Sequence, residues 1–196
     1  MKWIVGIDEA GRGPLAGPVA VGVVVVPEAL DLLALFPKLN DSKKLSEKRR
    51  EEIFVRLQEE IKSGNVVSLV ILASSEKIDA KGIAVCIREA IASALLKLVP
   101  NPEHHQVYLD GSLKAPEQYT QETVIGGDAL IPAIMLASVV AKVTRDRYML
   151  KQAELYPEYL FEQHKGYGTK RHMEKIREHG MSAIHRKTFI HLDSSK

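Results

Sequence analysis

Four acidic residues stand where the chain changes character. Asp8 and Glu9 follow the apolar run 3–7 and precede three glycines. Asp110 closes a short apolar stretch before Gly111, and Asp128 follows Gly126 and Gly127. Carboxylates at the ends of neighbouring strands converge on one sheet edge. Successive strand side chains face opposite ways, so Glu9 joins Asp8 if a loop turns it back. Several carboxylates within a few ångströms do not all stay ionised without a cation among them. Hard oxygen ligands select Mg²⁺ or Mn²⁺, and such a site suits two-metal phosphodiester hydrolysis. Each acid also has a plainer reading. Asp-Gly is a common turn dipeptide, and Asp128 suits the N-cap of a following helix. Asp8 is harder to read that way, because it continues an apolar strand into a loop without an evident partner. Asp146, flanked by Arg145 and Arg147, reads as a surface ion pair in mid-helix.

The loop 9–17 holds Gly11, Arg12 and Gly13. A dinucleotide fingerprint also places glycines after a strand, but it requires a helix next. Here the valine-rich stretch 18–26 follows, which excludes that cofactor class. Exposed backbone N–H groups with one arginine suit a phosphate or a sugar. Tyr167 sits between two glycines with basic neighbours, where an aromatic ring stacks on a base or sugar, or packs on its own domain. Lys43, Lys44, Lys48, Arg49 and Arg50 stand against Glu47 alone in 42–50, and seven basic residues stand against Glu174 and Glu178 in 164–187. On a chain of net charge +2, these clusters read as a phosphate footprint or as two solvated helix faces. The histidines show no zinc-ligand spacing with the single cysteine, Cys86.

The elements that must position these residues follow from pattern. Strands are expected at 2–8, 18–26, 66–72, 106–109 and 122–125. Ser46 caps a helix ended by Gly64. Residues 83–98 form the clearest helix, with Ile83, Ile87, Ile91, Leu95 and Leu98 on one face. A long helix covers 129–154, and Thr169 caps a last one closed by Gly180. The first three strands are expected to have short connections, and the whole to be a mixed sheet with helices packed on it. A length of 196 residues suits one domain. No apolar run is long enough for a membrane span. The N-terminus lacks a signal-peptide stretch, and one cysteine forms no intrachain disulfide, so a cytoplasmic setting is expected.

Together the segments DEAGRGPLAGP (8–18), NDSKKLS (40–46), LDGSLK (109–114), GGD (126–128), ASVVAKVTRDRYM (137–149), HKGYGTKRH (164–172) and IHRKTF (184–189) resemble the ribonuclease HII family in order and over nearly the whole chain. The strand at 2–8 opens the chain directly, so type 2 is expected rather than the type-3 relatives with their additional N-terminal domain. The resemblance implies an α/β ribonuclease-H-like fold: a five-stranded mixed sheet flanked by helices, with residues 155–196 as a helical C-terminal part of a single catalytic domain, 1–196. It implies catalytic carboxylates at Asp8, Glu9, Asp110 and Asp128, holding two Mg²⁺ or Mn²⁺ ions. It implies a loop at Gly11, Arg12 and Gly13 that senses the 2′-OH, a junction-reading Tyr167, and backbone contacts from Lys43 and Lys142. The implied partners are RNA/DNA hybrids and DNA with embedded ribonucleotides, cut on the 5′ side to leave 3′-OH and 5′-phosphate ends, by a monomer. Many members carry a lysine where this chain has Gly126. No sliding-clamp-binding pattern is evident in the tail IHLDSSK. A different metal-dependent nuclease on the same fold, or a hybrid-binding module that does not cut, are the competing readings.

Overall fold

The computed structural model describes residues 2–191; most of the tail, 192–196, lies outside them. Five strands form one sheet: β1 (Trp3–Ala10), β2 (Val19–Pro27), β3 (Val67–Ala73), β4 (His105–Asp110) and β5 (Gln121–Val124). Their order is β3-β2-β1-β4-β5. β2 runs antiparallel to both β1 and β3, whereas β1 and β4, and β4 and β5, are parallel. The mixed five-stranded sheet is therefore as expected. The parallel pair β1 and β4, in register Ile7 to Leu109, brings the C-terminal ends of both strands to one edge.

Central strands bury both faces, which is why 19–26 reads as a nearly unbroken apolar run. On one face Val19, Val21, Val23 and Val25 pack against the apolar stripe of α4 (Ile83–Leu98). On the other face Val24 and Val26 meet α2 (Glu47–Lys62) and α5 (Pro132–Leu155). α5 lies directly on the sheet because the strands carry glycine beneath it. A Cβ on Gly6 would stand 2.2 Å from the Ala133 carbonyl, and one on Gly22 2.4 Å from that of Ala137. That close approach fixes the depth and rotation of the helix that bears Ser138, Lys142, Arg145 and Asp146.

Several expectations are corrected. β2 and β3 are not joined by a short connection. The segment between them carries α1 (Leu32–Leu35) and α2. A further helix, α3 (Ser75–Lys81), follows β3 behind its own N-cap, Ser74. Asp128 does not cap the long helix. It lies in a 3-10 turn, Gly127–Ala129, and α5 begins at Pro132, a residue suited to a first helical turn. Asp146 is buried and accepts from Lys142 Nζ at 2.8 Å, while Arg147 turns away to Glu51. The flanking arginines lie about 100° to either side of it on the helix, so Arg147 does not pair with it and Arg145 comes only to 4.0 Å.

Beyond α5 the chain forms α6 (Phe161–His164), α7 (Lys170–His179) and turns around a third apolar cluster. Thr169 Oγ1 accepts from His172 N, and Gly180 ends α7 with φ +78°, as expected. This part is fastened to the loop after β1. Leu15 N donates to the Gly166 carbonyl at 2.8 Å, Arg186 N to that of Leu15 at 2.7 Å, and Ala16 bridges to His185. Among the described residues no helix is long and apolar enough to cross a membrane.

Candidate active site

β1 continues through Ala10, further than the sequence pattern indicates, because Glu9 and Ala10 still pair with Val21 and Ala20 of β2. Asp8 lies opposite Gly22, over which the α5 backbone is seated. Asp110 ends β4, one residue beyond the Ile7–Leu109 pair. The 3-10 turn after β5 then delivers Asp128, whose backbone N–H donates to Asp110 Oδ1 at 3.2 Å. Carboxylate oxygens of Asp8, Asp110 and Asp128 all lie within 4.8 Å of one another.

Glu9 stands outside that group of three. Within the ladder its side chain alternates away from Asp8, and it pairs with Arg12 Nε at 3.0 Å. The loop does not turn it back beside Asp8. Both acids nevertheless line one cleft of about 400 Å³. Gly11, Arg12, Gly13, Lys43, Asp110, Lys142 and Tyr167 line the same cleft. Asp128 reaches it through Lys43, whose Nζ lies 2.8 Å from Asp128 Oδ2. Residues spread from 8 to 167 thus share one concavity.

The electrostatics are those of a site short of positive charge. Burial, reinforced by the nearby charges of Glu9 and Asp110, raises the Asp8 carboxyl to about 7 despite hydrogen bonds from Ser138 and the Glu9 N–H. Burial and Asp110 also raise Glu9, against the pull of Arg12. The Lys43 ammonium donates to Asp128, and that hydrogen bond raises the lysine above its ordinary range. A hard divalent cation fits this donor set: three carboxylates, converging oxygens, and a charge deficit that one lysine offsets only at Asp128.

On the other wall, Tyr167 is 42% exposed, with Lys142 Nζ 5.5 Å and Arg145 Cζ 5.6 Å from its ring centroid. Its backbone carbonyl accepts from Thr169 N and His172 Nδ1. Four contributors escape the sequence pattern. Ser42 and Ser138 share a 2.6 Å hydrogen bond beneath the cleft. Arg50, one of the basic run 42–50, turns inward and donates to the carbonyls of Ser42 and Leu45, bracing the loop that carries Lys43. Arg186, counted with the second basic cluster, is fully buried. Charge counts do not separate inward from outward arginines; the only hint for Arg186 is its setting between Ile184 and Phe189.

The sequence matches the family model described as Ribonuclease HII over residues 5–192. It is 46% identical over 187 residues to a ribonuclease HII of Endomicrobium trichonymphae, covering 95% of this chain and 84% of that one. Its fold is similar to the crystal structure of ribonuclease H2 from Pyrococcus horikoshii OT3, with TM-score 0.76 and 26% identity over 95% of this chain and 93% of that one. It is similar also to the RNase HII in the PCNA:RNase HII complex from Archaeoglobus fulgidus, with TM-score 0.75 and 27% identity, covering 98% of this chain and 97% of that one.

Proposed function

As the chain belongs to the ribonuclease HII family and is a ribonuclease H enzyme acting on RNA/DNA hybrids, we propose that it also cuts on the 5′ side of single ribonucleotides embedded in duplex DNA. The observation that carries this reading is a juxtaposition: a glycine loop with an open face lines the same cleft as Asp8 and Asp110, two of three converging carboxylates. An acidic group alone would suit many nucleases. The loop beside it gives a means of telling RNA from DNA.

In this proposal Asp8, Asp110 and Asp128, with Glu9 beside them, hold two Mg²⁺ or Mn²⁺ ions, which when bound supply Lewis acidity at the phosphate. Water forms the new P–O bond, the P–O3′ bond breaks, and O3′ takes up a proton, leaving 3′-OH and 5′-phosphate ends. Backbone N–H groups of Arg12 and Gly13 approach the ribose 2′-OH, the one group that separates RNA from DNA at that sugar. The Arg12 guanidinium holds an adjacent phosphate. Tyr167 presses on the next sugar, and Lys43 and Lys142 offset backbone charge. A binder that does not cut would gain nothing from three carboxylates placed near phosphate.

Substitution tests the site. Asp110→Asn is expected to lower Mg²⁺-dependent cleavage at least about a hundredfold, the upper end of what losing a mere outer partner costs, while hybrid affinity stays equal or tightens. Mg²⁺ should raise the melting temperature of the parent protein and not that of the variant. Near-parental turnover by Asp110→Asn contradicts the assignment.

A further inference from the structure

Two buried guanidinium groups hold the loop that follows β1. Arg186 donates to three of its carbonyls: Nε to Gly17 at 2.9 Å, Nη1 to Arg12 at 3.0 Å and Nη2 to Gly11 at 2.7 Å. Arg145 donates to two more, Nε to Pro18 at 3.0 Å and Nη2 to Ala16 at 3.1 Å. Both side chains are fully buried. Neither makes a close ion pair among the described residues; the nearest carboxylate to Arg145 is Asp146, at 4.0 Å from Nη1. Burying a cation without a counter-ion is costly unless its donors are satisfied; loop carbonyls satisfy Arg186 at all three nitrogens and Arg145 at Nε and Nη2, while Arg145 Nη1 has no hydrogen-bond partner among the described residues.

The consequence lies on the other side of each peptide plane. No peptide bond among the described residues is cis, and in a trans peptide the C=O of one residue and the N–H of the next point in opposite directions. Turning the Gly11 and Arg12 carbonyls inward to Arg186 therefore turns the N–H groups of Arg12 and Gly13 outward. Those two N–H groups donate to nothing among the described residues, whereas those of Leu15, Ala16 and Gly17 are taken up by Gly166 and Ile184. Arg12 and Gly13 line the cleft beside the carboxylates.

We propose that Arg186 is a positioning residue for ribonucleotide recognition, which from beneath the loop aims the Arg12 and Gly13 N–H groups at the sugar. Arg145 secures the following turn in the same manner. Arg186 touches no substrate; it acts through the loop. This rests on the reading of the loop as the 2′-OH sensor given above. Burial and the neighbouring Arg145 lower the Arg186 guanidinium to about 10, so it stays charged at neutral pH. A lysine there would have one ammonium on a flexible stem, without the planar fork that spans three carbonyls.

The test compares equilibrium affinity for two duplexes of one sequence, all-DNA and with a single ribonucleotide, without divalent metal, for the parent chain, Arg186→Met and Arg186→Lys. The parent should prefer the ribonucleotide duplex. In Arg186→Met that preference should fall about fivefold for each hydrogen bond to the 2′-OH that is lost, while all-DNA affinity changes less than about twofold. Arg186→Lys should behave likewise, and methylguanidinium should restore the preference in Arg186→Ala. A role confined to fastening the C-terminal part would lower both affinities together. A folded Arg186→Met or Arg186→Lys that keeps the parental preference overturns the proposal and leaves the loop reading intact. A parent chain without any preference overturns the loop reading, and the proposal with it.

Discussion

Glycines 11 and 13 answer to different demands. A Cβ at Gly11 would stand 2.0 Å from Arg145 Nε, and its φ of +90° disfavours any other residue. A Cβ at Gly13 would meet nothing within 4 Å, and its φ is ordinary. The fold explains the first glycine and leaves the second to whatever enters the cleft. Gly13→Ala is therefore expected to shift the melting temperature by less than about 2 °C, as for a surface change within about 0.5 kcal/mol. Cleavage at a single ribonucleotide should fall about tenfold or more, since a methyl group would stand where the sugar must approach. Unchanged cleavage by Gly13→Ala would remove Gly13 from the recognition surface. At this scale much was legible. Asp8 announces itself as an acid ending an apolar strand. Asp146 reads as paired with its adjacent arginines, whereas its hydrogen-bond partner is Lys142, one helical turn away, and Arg145 lies at 4.0 Å.

Elements were legible where a period and a cap coincide. α4 and α7 follow their patterns, and Ser46 and Thr169 cap as the sequence indicates. α3 is two turns long and shows one buried apolar residue, Ile78, too little to make a period. The connections of α6 and α7 hold a device invisible in sequence, three buried histidines far from any ligand spacing. Ser182 N–H donates to His185 Nδ1, so His185 Nε2–H donates to His172 Nε2, and His172 Nδ1–H donates to the Tyr167 carbonyl. His164 Nδ1 accepts from Gly166 N–H while its Nε2–H donates to the Tyr159 carbonyl. Every ring is held neutral. Burial, helped by the charge of His164 at His172 and of His172 at His185, lowers both rings from 6.5 to about 4. Folded values lie below unfolded ones, so the unfolded chain binds the extra protons between pH 4 and 6.5. The contribution of this chain of rings is complete above pH 6.5 and is lost as pH falls through that window. His185→Gln keeps a donor toward His172 but cannot be protonated. Denaturant titrations from pH 7 to pH 4 should show a shallower acid loss in that variant, by up to about 1.4 kcal/mol per pKa unit no longer displaced. Parallel losses in parent and variant would show that the rings do not govern the acid limit.

At the scale of the molecule, the sheet order and one sheet edge explain the site. β1 and β4 are neighbours and parallel, which sets Asp8 beside Asp110, and α5 seated on Gly6 and Gly22 brings Lys142 to the same place. What no single segment reveals is the convergence of 8–13, 42–43, 110, 142 and 167 on one cleft, since it depends on the long β2–β3 connection and on the C-terminal part folding back over the first loop. Nor does charge counting reveal that Arg50 and Arg186 serve the protein's own carbonyls, so fewer basic side chains are free to meet phosphate than the count suggests. The proposed carboxylate metal site and 2′-OH-sensing loop act as one unit if they serve one reaction. The most direct measurement gives purified protein, with Mg²⁺ or Mn²⁺, three end-labelled duplexes: all-DNA, DNA with one ribonucleotide, and a continuous RNA strand paired with DNA. The expected result is no cut in the first, one cut on the 5′ side of the ribonucleotide in the second with 3′-OH and 5′-phosphate ends, and cuts in the RNA strand of the third. Cleavage of the continuous hybrid with the single ribonucleotide left intact would contradict it.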